Sequence, residues 1–377
     1  MARAQRVALT TPLLAIPPTY FVTEHAEAIQ RSTGCDEHRF HLFPLASSIE
    51  PGEISIGASP AVTWPGRYAS RQRLASLGMA QQARLVAAAQ PDIIHQHHGV
   101  WTAGAVLAKR LSGAPLVTTL HGADAINAAR RSVNGLQRVH RWNTRLAFAH
   151  SDRLLAVSDH LRTLAIRAGA DARRVTVHYQ GINTDYFTPG GGSSALTQRL
   201  PRILAISTLT PRKRIDLLIA ASCELARQVP HELHIVGAGP LDAALRAQAS
   251  ASPHIQFHGQ VPRARVREFL READQLVLPS SDEAAGLVIL EAQSCGLSAV
   301  VTGGDGKAEM VSDGVTGAVT SENPSAGTLA VSMRDWLPRT DQEKAELAER
   351  TRQFVVRERS VAAGAEALLA IYGSVRT

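Results

Sequence analysis

Short runs of aliphatic and β-branched residues alternate with stretches of helical period along the whole chain, which is how βαβ units and a parallel sheet read. In the first half the strand candidates are "RVALTT", "DIIHQH", "PLVTTLHG", "RLLAVS" and "RVTVHYQG"; in the second half they are "RILAIS", "LHIVGAG", "IQFHGQV", "QLVLPS" and "SAVVTGG". Helical period is expected over 214–228, 240–250, 263–273 and 285–295, and the Ala/Glu/Arg-rich stretch 341–372 also reads as helix. A Gly/Ser tract at 190–194 separates the two sets and is read as the hinge region. The pattern predicts two open α/β sheets, the first over 1–195 and the second from 196. Ligands of such sheets sit beyond the carboxyl ends of the strands. Polar residues expected there are His95, His121, Ser158, Gly237, Ser280 and Glu283.

Length agrees with two domains, since 377 residues exceed one ordinary core. The composition is globular, 45% hydrophobic and 19% charged. Cys35, Cys223 and Cys295 are far apart and form no CxxC, which predicts a reduced, cytoplasmic protein. The start "MARAQRVALTTPLLAI" superficially resembles a signal peptide, but Thr10, Thr11 and Pro12 interrupt it and no small-residue cleavage site follows. A first β-strand is the expectation. No run of about 18 apolar residues predicts a transmembrane helix.

The net charge of +7 is uneven. Residues 1–195 carry 20 Lys and Arg against 12 Asp and Glu, whereas residues 196–377 carry 20 against 21. A basic first half implies either an anionic partner or a well-solvated Arg-rich surface. The anionic candidates are a membrane surface, a phosphorylated acceptor or nucleic acid. Nucleic acid is disfavoured, because no interleaved aromatic array accompanies the charge.

Six motifs bear chemistry. "LHIVGAGPLDAAL" is a strand, a Gly-x-Gly turn and a helix opening; lacking a third glycine, it reads better as a tight turn than as a dinucleotide site. "STLTPRKRIDLLIAA" groups Arg212, Lys213 and Arg214 after a strand, which suits phosphate binding or a solvated loop. "DEAAGLVILEAQSCG" carries Glu283 and Glu291 eight positions apart, with a helix expected to begin near Ala285 or Gly286. Eight helical residues span about 12 Å, and a retaining glycosidase needs its carboxylates about 5 Å apart. The pair therefore suits two hydroxyl-bearing ends of one long ligand, or Glu291 pairs with a basic neighbour. A metal site is not expected there. His121 ends an apolar strand and is placed to meet a ligand hydroxyl or to pack; "HQHHG" at 95–99 reads as strand-end packing rather than zinc ligation. Finally, Arg131, Arg138 and Arg145 recur at seven-residue spacing beside Arg141 and Trp142, a basic face for a membrane or a phosphorylated acceptor, or a solvated helix face.

Taken in order along nearly the whole chain, these motifs resemble glycosyltransferase family 4, the retaining nucleotide-sugar transferases of GT-B fold. The segments that carry the resemblance include "PLVTTLHGAD", "SDRLLAVSDHLRTLAI", "TPRKRIDLLIAA", "IQFHGQVPRARV", "LPSSDEAAGLVILEAQSCG" and "DGVTG". The start, "PPTYFVTEHAEAI", looks most like the bacterial exopolysaccharide and lipopolysaccharide branch. The resemblance implies two Rossmann-like domains facing across a cleft. The acceptor domain would be 1–195, the donor domain 196–360, and the helix at 361–377 would pack back on the first domain. It implies that Glu283 contacts donor-sugar hydroxyls, Glu291 the ribose hydroxyls, and the backbone of Gly286 and Leu287 the diphosphate. Lys213, with Arg212, would neutralise the leaving diphosphate, His121 would sit near the sugar C6 hydroxyl, and the backbone at Val261 would read the base. Arg138, Arg141 and Arg145 would form the acceptor or membrane face.

The activity so implied is retaining transfer of a hexose (glucose, mannose, galactose or N-acetylhexosamine type) from a UDP- or GDP-linked sugar. The acceptor would be a saccharide, foremost a lipid-linked polysaccharide or lipopolysaccharide intermediate. No metal and no cofactor would be needed, and the place would be the cytoplasm or the inner face of its membrane. A soluble transferase acting on a small natural-product acceptor, and a non-catalytic nucleotide-sugar-binding subunit, are the alternatives. The chain departs from the family pattern at Thr208, where an arginine is usual, at Arg214, where a glycine is usual, and at "IPPT", where a Gly-Gly loop is usual. Ala285 and Ser298 likewise stand where an aromatic residue and a proline are usual.

Overall fold

The computed structural model describes residues 5–16, 20–33, 38–49, 75–129, 135–190 and 199–375. Cys35, Arg131, the 17–19 part of "IPPT" and all but Gly190 of the 190–194 tract lie outside them. The chain divides into two compact units, Met1–Gln180 with Val361–Thr377, and Gly181–Ser360.

In the first unit the strands are β1 (Gln5–Ile16), β2 (His38–Ile49), β3 (Ile93–His97), β4 (Leu116–Leu120), β5 (Arg153–Ala156) and β6 (Val175–Val177). Its helices are α1 (Phe21–Thr33), α2 (Ala75–Ala88), α3 (Ala103–Ser112), α4 (Ala123–Ala129), α5 (Gly135–His150) and α6 (Asp159–Arg167). The second unit holds β7 (Arg202–Ile206), β8 (Glu232–Val236), β9 (Ile255–Gly259), β10 (Gln275–Leu278), β11 (Ser298–Thr302) and β12 (Gly317–Thr320). Its helices are α7 (Ile215–Leu225), α8 (Asp242–Gln248), α9 (Arg263–Glu272), α10 (Leu287–Ser294), α11 (Ala326–Trp336) and α12 (Asp341–Glu358). The last helix, α13 (Val361–Ser374), returns to the first unit.

Each unit is a six-stranded parallel sheet, ordered β2-β1-β3-β4-β5-β6 in the first and β12-β11-β10-β7-β8-β9 in the second. The central strands are buried on both faces, β3, β4, β10 and β11 along their whole length. That is why they show no in–out alternation: β10 and β11 are mostly aliphatic, and β3 and β4 bury His95, Gln96, His97, Thr118 and Thr119 as well. Strand order reverses between β1 and β3 in one sheet and between β7 and β10 in the other. Such switch points open a crevice at the carboxyl ends of the strands, so in the second unit the loops after Ile206 and Leu278 are the ones to inspect.

On one face of the first sheet, Val7, Leu9, Ile93, Val117 and Leu155 pack under Val22, Ala26 and Ile29 of α1 and under Val361, Ala365, Leu368 and Tyr372 of α13. Burial of a side chain such as Leu368 is worth about 1.5–3 kcal/mol. In the second unit, Ile203, Ala205, Leu233 and Ile235 of the sheet pack on Leu218 and Ile219 of α7 and on Leu329 and Met333 of α11. Side-chain caps set several helix starts. Ser158 accepts from the Leu161 N–H, and Thr340 from the Glu343 N–H, both at 3.1 Å.

The structure differs from the sequence reading in three places. The units part at Gln180/Gly181 rather than at 195. Residues 181–190 are anchored in the second unit: Phe187 is fully buried, its carbonyl accepts from Ser294 Oγ at 2.6 Å and Arg352 at 3.2 Å, and Arg263 and Arg267 stack on Tyr186. The helix expected over 341–372 is two helices, broken where the Ile182 N–H bonds the Arg359 carbonyl at 3.0 Å. Strands β2 and β12 were not anticipated. Both are edge strands, one carrying Pro44 and the other four residues long and opening on Gly317. Edge positions carry a weaker apolar signal. Among the described residues no helix is long and apolar enough to cross a membrane.

Candidate functional site

After β8, Gly237 takes φ +136°, and a Cβ on it would fall 1.8 Å from the Ser207 carbonyl oxygen. A Cβ on Gly239 would fall 2.4 Å from that of Leu209. The Ser207 and Leu209 N–H groups bond the carbonyls of Val236 and Ala238, each at 3.0 Å. The Gly-x-Gly turn is thus a close backbone packing device that braces the loop after β7.

That loop ends in a 3-10 turn, Pro211–Lys213, followed by Arg214 at φ +51°. Its three cations diverge. The Arg212 guanidinium donates to the Asp282 carbonyl at 2.7 Å, while its own carbonyl accepts from the Ser281 N–H at 2.8 Å. Arg214 reaches the Glu322 carbonyl at 3.3 Å and Asn323 Oδ1 at 3.2 Å. Lys213 Nζ alone turns to Glu283, pairing with its Oε1; the two side chains are 14% and 11% exposed. Thr208, at the departure from the family pattern, is exposed.

The Glu283 loop leaves β10 through Asp282, at φ +57°. The Glu283 N–H donates to Asp305 Oδ2 at 3.0 Å, and its carbonyl accepts from the Gly306 N–H at 3.0 Å. Gly286, at φ +79°, starts α10, as the sequence reading placed it; a Cβ there would meet Ile289 Cδ1 at 3.2 Å and Lys307 Cβ at 3.4 Å. Leu287 is the first helical residue, so its N–H has no carbonyl partner inside the helix, whereas the Ile289 N–H already bonds the Gly286 carbonyl at 3.0 Å. Glu291 lies buried one turn on, and Cys295 caps the helix end. Burial, then the Glu291 carboxylate, push the Cys295 thiol up to about 12, which makes it unreactive. Val261, half-buried, follows β9 in the turn before α9.

Two residues at this site were not singled out in the sequence. Lys307 is fully buried, and its Nζ donates to both carboxylate oxygens of Asp305 at 2.8 Å. Burial lowers the basicity of Lys307, while Asp305 and then Glu283 raise it and Lys213 lowers it. Two ion pairs of opposite orientation, Lys213 with Glu283 and Asp305 with Lys307, therefore lie side by side. The available signal was a charged Asp-x-Lys directly after the apolar strand "SAVVTGG".

The first unit carries a different arrangement at its own switch point. His95 and His97 share one face of β3, their rings stacked at 4.4 Å. His95 bonds the Tyr372 and Thr119 hydroxyls, each at 2.7 Å. His121, after β4, meets His97 ring nitrogen to ring nitrogen at 3.1 Å and lies 4.3 Å from the His98 ring. His25 and His178 adjoin at 5.1 Å, and His178 donates to the Gly364 carbonyl at 2.9 Å. Burial pushes all six imidazoles below their ordinary pKa, His95 to about 3. They are neutral rings at pH 7. Asp124 ties their loops together, accepting from the N–H groups of Gly99 at 3.1 Å, His121 at 3.0 Å, Gly122 at 2.9 Å and Ala125 at 3.0 Å. Among the described residues no three His, Cys, Asp or Glu side chains converge as metal ligands.

On α5, Arg138 and Arg145 are exposed beside Trp142, which is 55% exposed, while Asn143, Thr144, Ala147 and Phe148 turn inward. Arg141 is partly buried and donates to the Asn127 carbonyl at 3.4 Å. The structure thus gathers Arg212, Lys213, Glu283, Gly286, Leu287 and Glu291 around one switch point of the second unit. His121 and the arginine stripe belong to the first.

Residues 20–186 match the family described as Glycosyltransferase Family 4, and residues 193–354 match Glycosyl transferases group 1. A D-inositol 3-phosphate glycosyltransferase of Geodermatophilus obscurus is 31% identical over 273 residues, 66% of this chain and 60% of that protein. One of Mycobacterium tuberculosis is 30% identical over 249 residues, 61% of this chain and 51% of that protein. The matches therefore span less than two thirds of these relatives. Among solved structures, Anabaena HepE in complex with UDP and glucose aligns with a TM-score of 0.75 at 20% identity, covering 98% of this chain and 99% of that one. Sucrose-phosphate synthase from Thermosynechococcus elongatus aligns at 0.78 and 19% identity, covering 98% and 99%. With two Rossmann-like sheets the chain has the GT-B fold of glycosyltransferases, its first unit matching Glycosyltransferase Family 4 and its second Glycosyl transferases group 1.

Proposed function

We propose that the protein transfers a hexose from a nucleotide-diphosphate sugar to an acceptor hydroxyl with retention of anomeric configuration and without a metal. The observation that carries this reading is the Lys213–Glu283 pair beside the Gly286-initiated helix, at the switch point of the second sheet. Cleavage of the sugar–diphosphate bond leaves negative charge on the phosphate oxygen. Lys213 and the free N–H groups at Gly286 and Leu287 offer preorganised positive potential for it. Arg212 adds a third source. In this reading Glu283 holds donor-sugar hydroxyls, Glu291 the ribose hydroxyls, and the backbone at Val261 the base. The acceptor oxygen bonds to the anomeric carbon on the face from which the diphosphate departs, and the acceptor proton passes to the departing phosphate oxygen. Retention then needs no protein nucleophile. His121, neutral through burial, is suited to hydrogen-bond the donor sugar near its C6 hydroxyl.

For the acceptor, a lipid-linked saccharide of exopolysaccharide or lipopolysaccharide type is one reading, with the protein peripheral on the inner membrane face. It draws support from Arg138, Arg145 and Trp142 on one exposed helix face, and from the likeness to the lipopolysaccharide outer core galactosyltransferase WaaB, TM-score 0.71 at 14% identity. A small phosphorylated polyol is the second reading. The curated relatives named D-inositol 3-phosphate glycosyltransferase favour it, and the basic first half suits a phosphate. The test is release of nucleoside diphosphate from a panel of UDP- and GDP-sugars, with D-inositol 3-phosphate and lipid-linked saccharides as acceptors. Turnover that collapses in Lys213→Ala and Glu291→Ala is expected. No turnover with any pair, or full rate in both variants, overturns the reading.

A further inference from the structure

A lysine with no exposed surface is rare, because taking an ammonium out of water is costly unless a partner meets it. Lys307 is such a lysine, and its partner Asp305 is committed elsewhere as well. Asp305 caps the 3-10 turn Gly306–Met310 through the Lys307 N–H at 3.2 Å and receives the Glu283 N–H at 3.0 Å. The Gly306 N–H closes the circuit on the Glu283 carbonyl at 3.0 Å. Both backbone groups of Glu283 are therefore held by residues 305–306, and the stem of Lys307 lies against Gly286, where α10 begins.

The arrangement places two carboxylates, Asp305 and Glu283, on neighbouring ground. Like charges repel one another. Glu283 has Lys213 as its counter-charge in this structure. In the reading proposed above, Lys213 turns to the departing diphosphate, and Glu283 would then stand next to Asp305 without its cation.

We infer that Lys307 and Asp305 are positioning residues for the donor-sugar site: Asp305 fixes the backbone of Glu283, and the buried Lys307 pairs with Asp305 and holds it there, so that Glu283 stays in place when Lys213 engages the donor. The inference rests on the proposed role of Glu283. It predicts that the pair governs recognition of the sugar rather than of the nucleotide, since Glu283 meets the sugar and the base lies at Val261.

Removing one member of a buried ion pair is strongly destabilising, whereas replacing both by neutral groups of similar size is often tolerated. The decisive variant is therefore the double one, Asp305→Asn with Lys307→Met, beside Asp305→Asn alone. Two measurements are made on the full chain. Amide hydrogen exchange over 281–287, without ligand, reads the hold on Glu283. Calorimetric titration with UDP against UDP-glucose, and GDP against GDP-mannose, reads the affinity added by the hexosyl group. The double variant is expected to keep the melting temperature near that of the wild type and to bind the nucleoside diphosphate within about threefold. It is also expected to lose at least about tenfold of the hexosyl increment and to exchange faster over 281–287. An unchanged increment in a wild-type protein that has one overturns the inference. If the wild type binds neither pair of probes, the proposed function falls, and exchange alone decides: unchanged protection over 281–287 overturns the positioning role, and lost protection upholds it.

Discussion

The two units solve one problem with opposite electrostatics. Each closes a parallel sheet at a switch point with polar side chains, and each buries them. The first unit uses imidazoles, which burial discharges: His25, His95, His97, His98, His121 and His178 pack ring against ring as neutral groups. The second unit uses paired charges, Lys213 with Glu283 and Lys307 with Asp305, each facing a neighbour of opposite sign. A neutral polar cluster is stable as long as solution pH leaves it neutral. An ionic cluster is stable as long as its partners are all present. The first unit should therefore be sensitive to acid, and the second to single deletions.

The sharpest test of the ionic side is Lys213→Ala. Loss of a preorganised charge at a developing anion costs about 10²–10³ in rate, so nucleoside diphosphate release should fall by that factor. A rate within threefold of the wild type would mean that the Lys213–Glu283 pair has only a packing role. Next in size is Lys307→Met, which strands Asp305 in the interior. Denaturant unfolding of this variant should lose about 3–5 kcal/mol. A change below about 1 kcal/mol would show that Asp305 finds water or another cation.

The neutral side is broken by pH. Folded-state pKa values below the ordinary 6.5 mean that the unfolded chain binds more protons at mildly acidic pH. The histidine contribution is thus fully present above about pH 6.5 and is lost as pH falls toward the folded values, about 3 for His95. Each proton taken up on unfolding is worth about 1.4 kcal/mol per pH unit. Between pH 7 and 5 the first unit should lose protection against amide exchange faster than the second. Equal loss in both would remove the contrast. The smallest effect is expected from Arg138→Ala with Arg145→Ala. Stability should change by less than about 0.5 kcal/mol, while flotation with anionic vesicles should drop. Unchanged flotation, or none in the wild type, would count against a membrane face on α5.

Much of the fold was legible because buried parallel strands leave a coarse, local mark. Ten strands read directly as apolar runs ending in polar residues, and the Gly286 helix start read from its own loop. The two strands missed were edges, where burial is one-sided. The compact units part at Gln180/Gly181, ahead of the Gly/Ser tract, because Phe187 and Arg352 draw the preceding residues into the second unit.

At the site the same line divides what is local from what is not. Glu283, Gly286, Leu287 and Glu291 share one short segment, so the spacing of the two glutamates could be read directly and argued against an acid/base pair. Lys213 could be named only through the family resemblance, or as one of three cations in its loop. Its partner could not, because 70 positions separate it from Glu283 and only the β7–β10 adjacency brings them together. Nor could the sequence sort Arg212, Lys213 and Arg214, three adjacent cations that the backbone at φ +51° sends to three different partners. Lys307 gave no sign in the sequence of being buried beyond the Asp-x-Lys that follows β11. The order of apolar and polar residues determined which strands and helices form, because burial of each element depends on its own period. Which charges are neutralised was decided by the tertiary structure alone, since an ion's environment is set by whatever the fold places within a few ångströms of it.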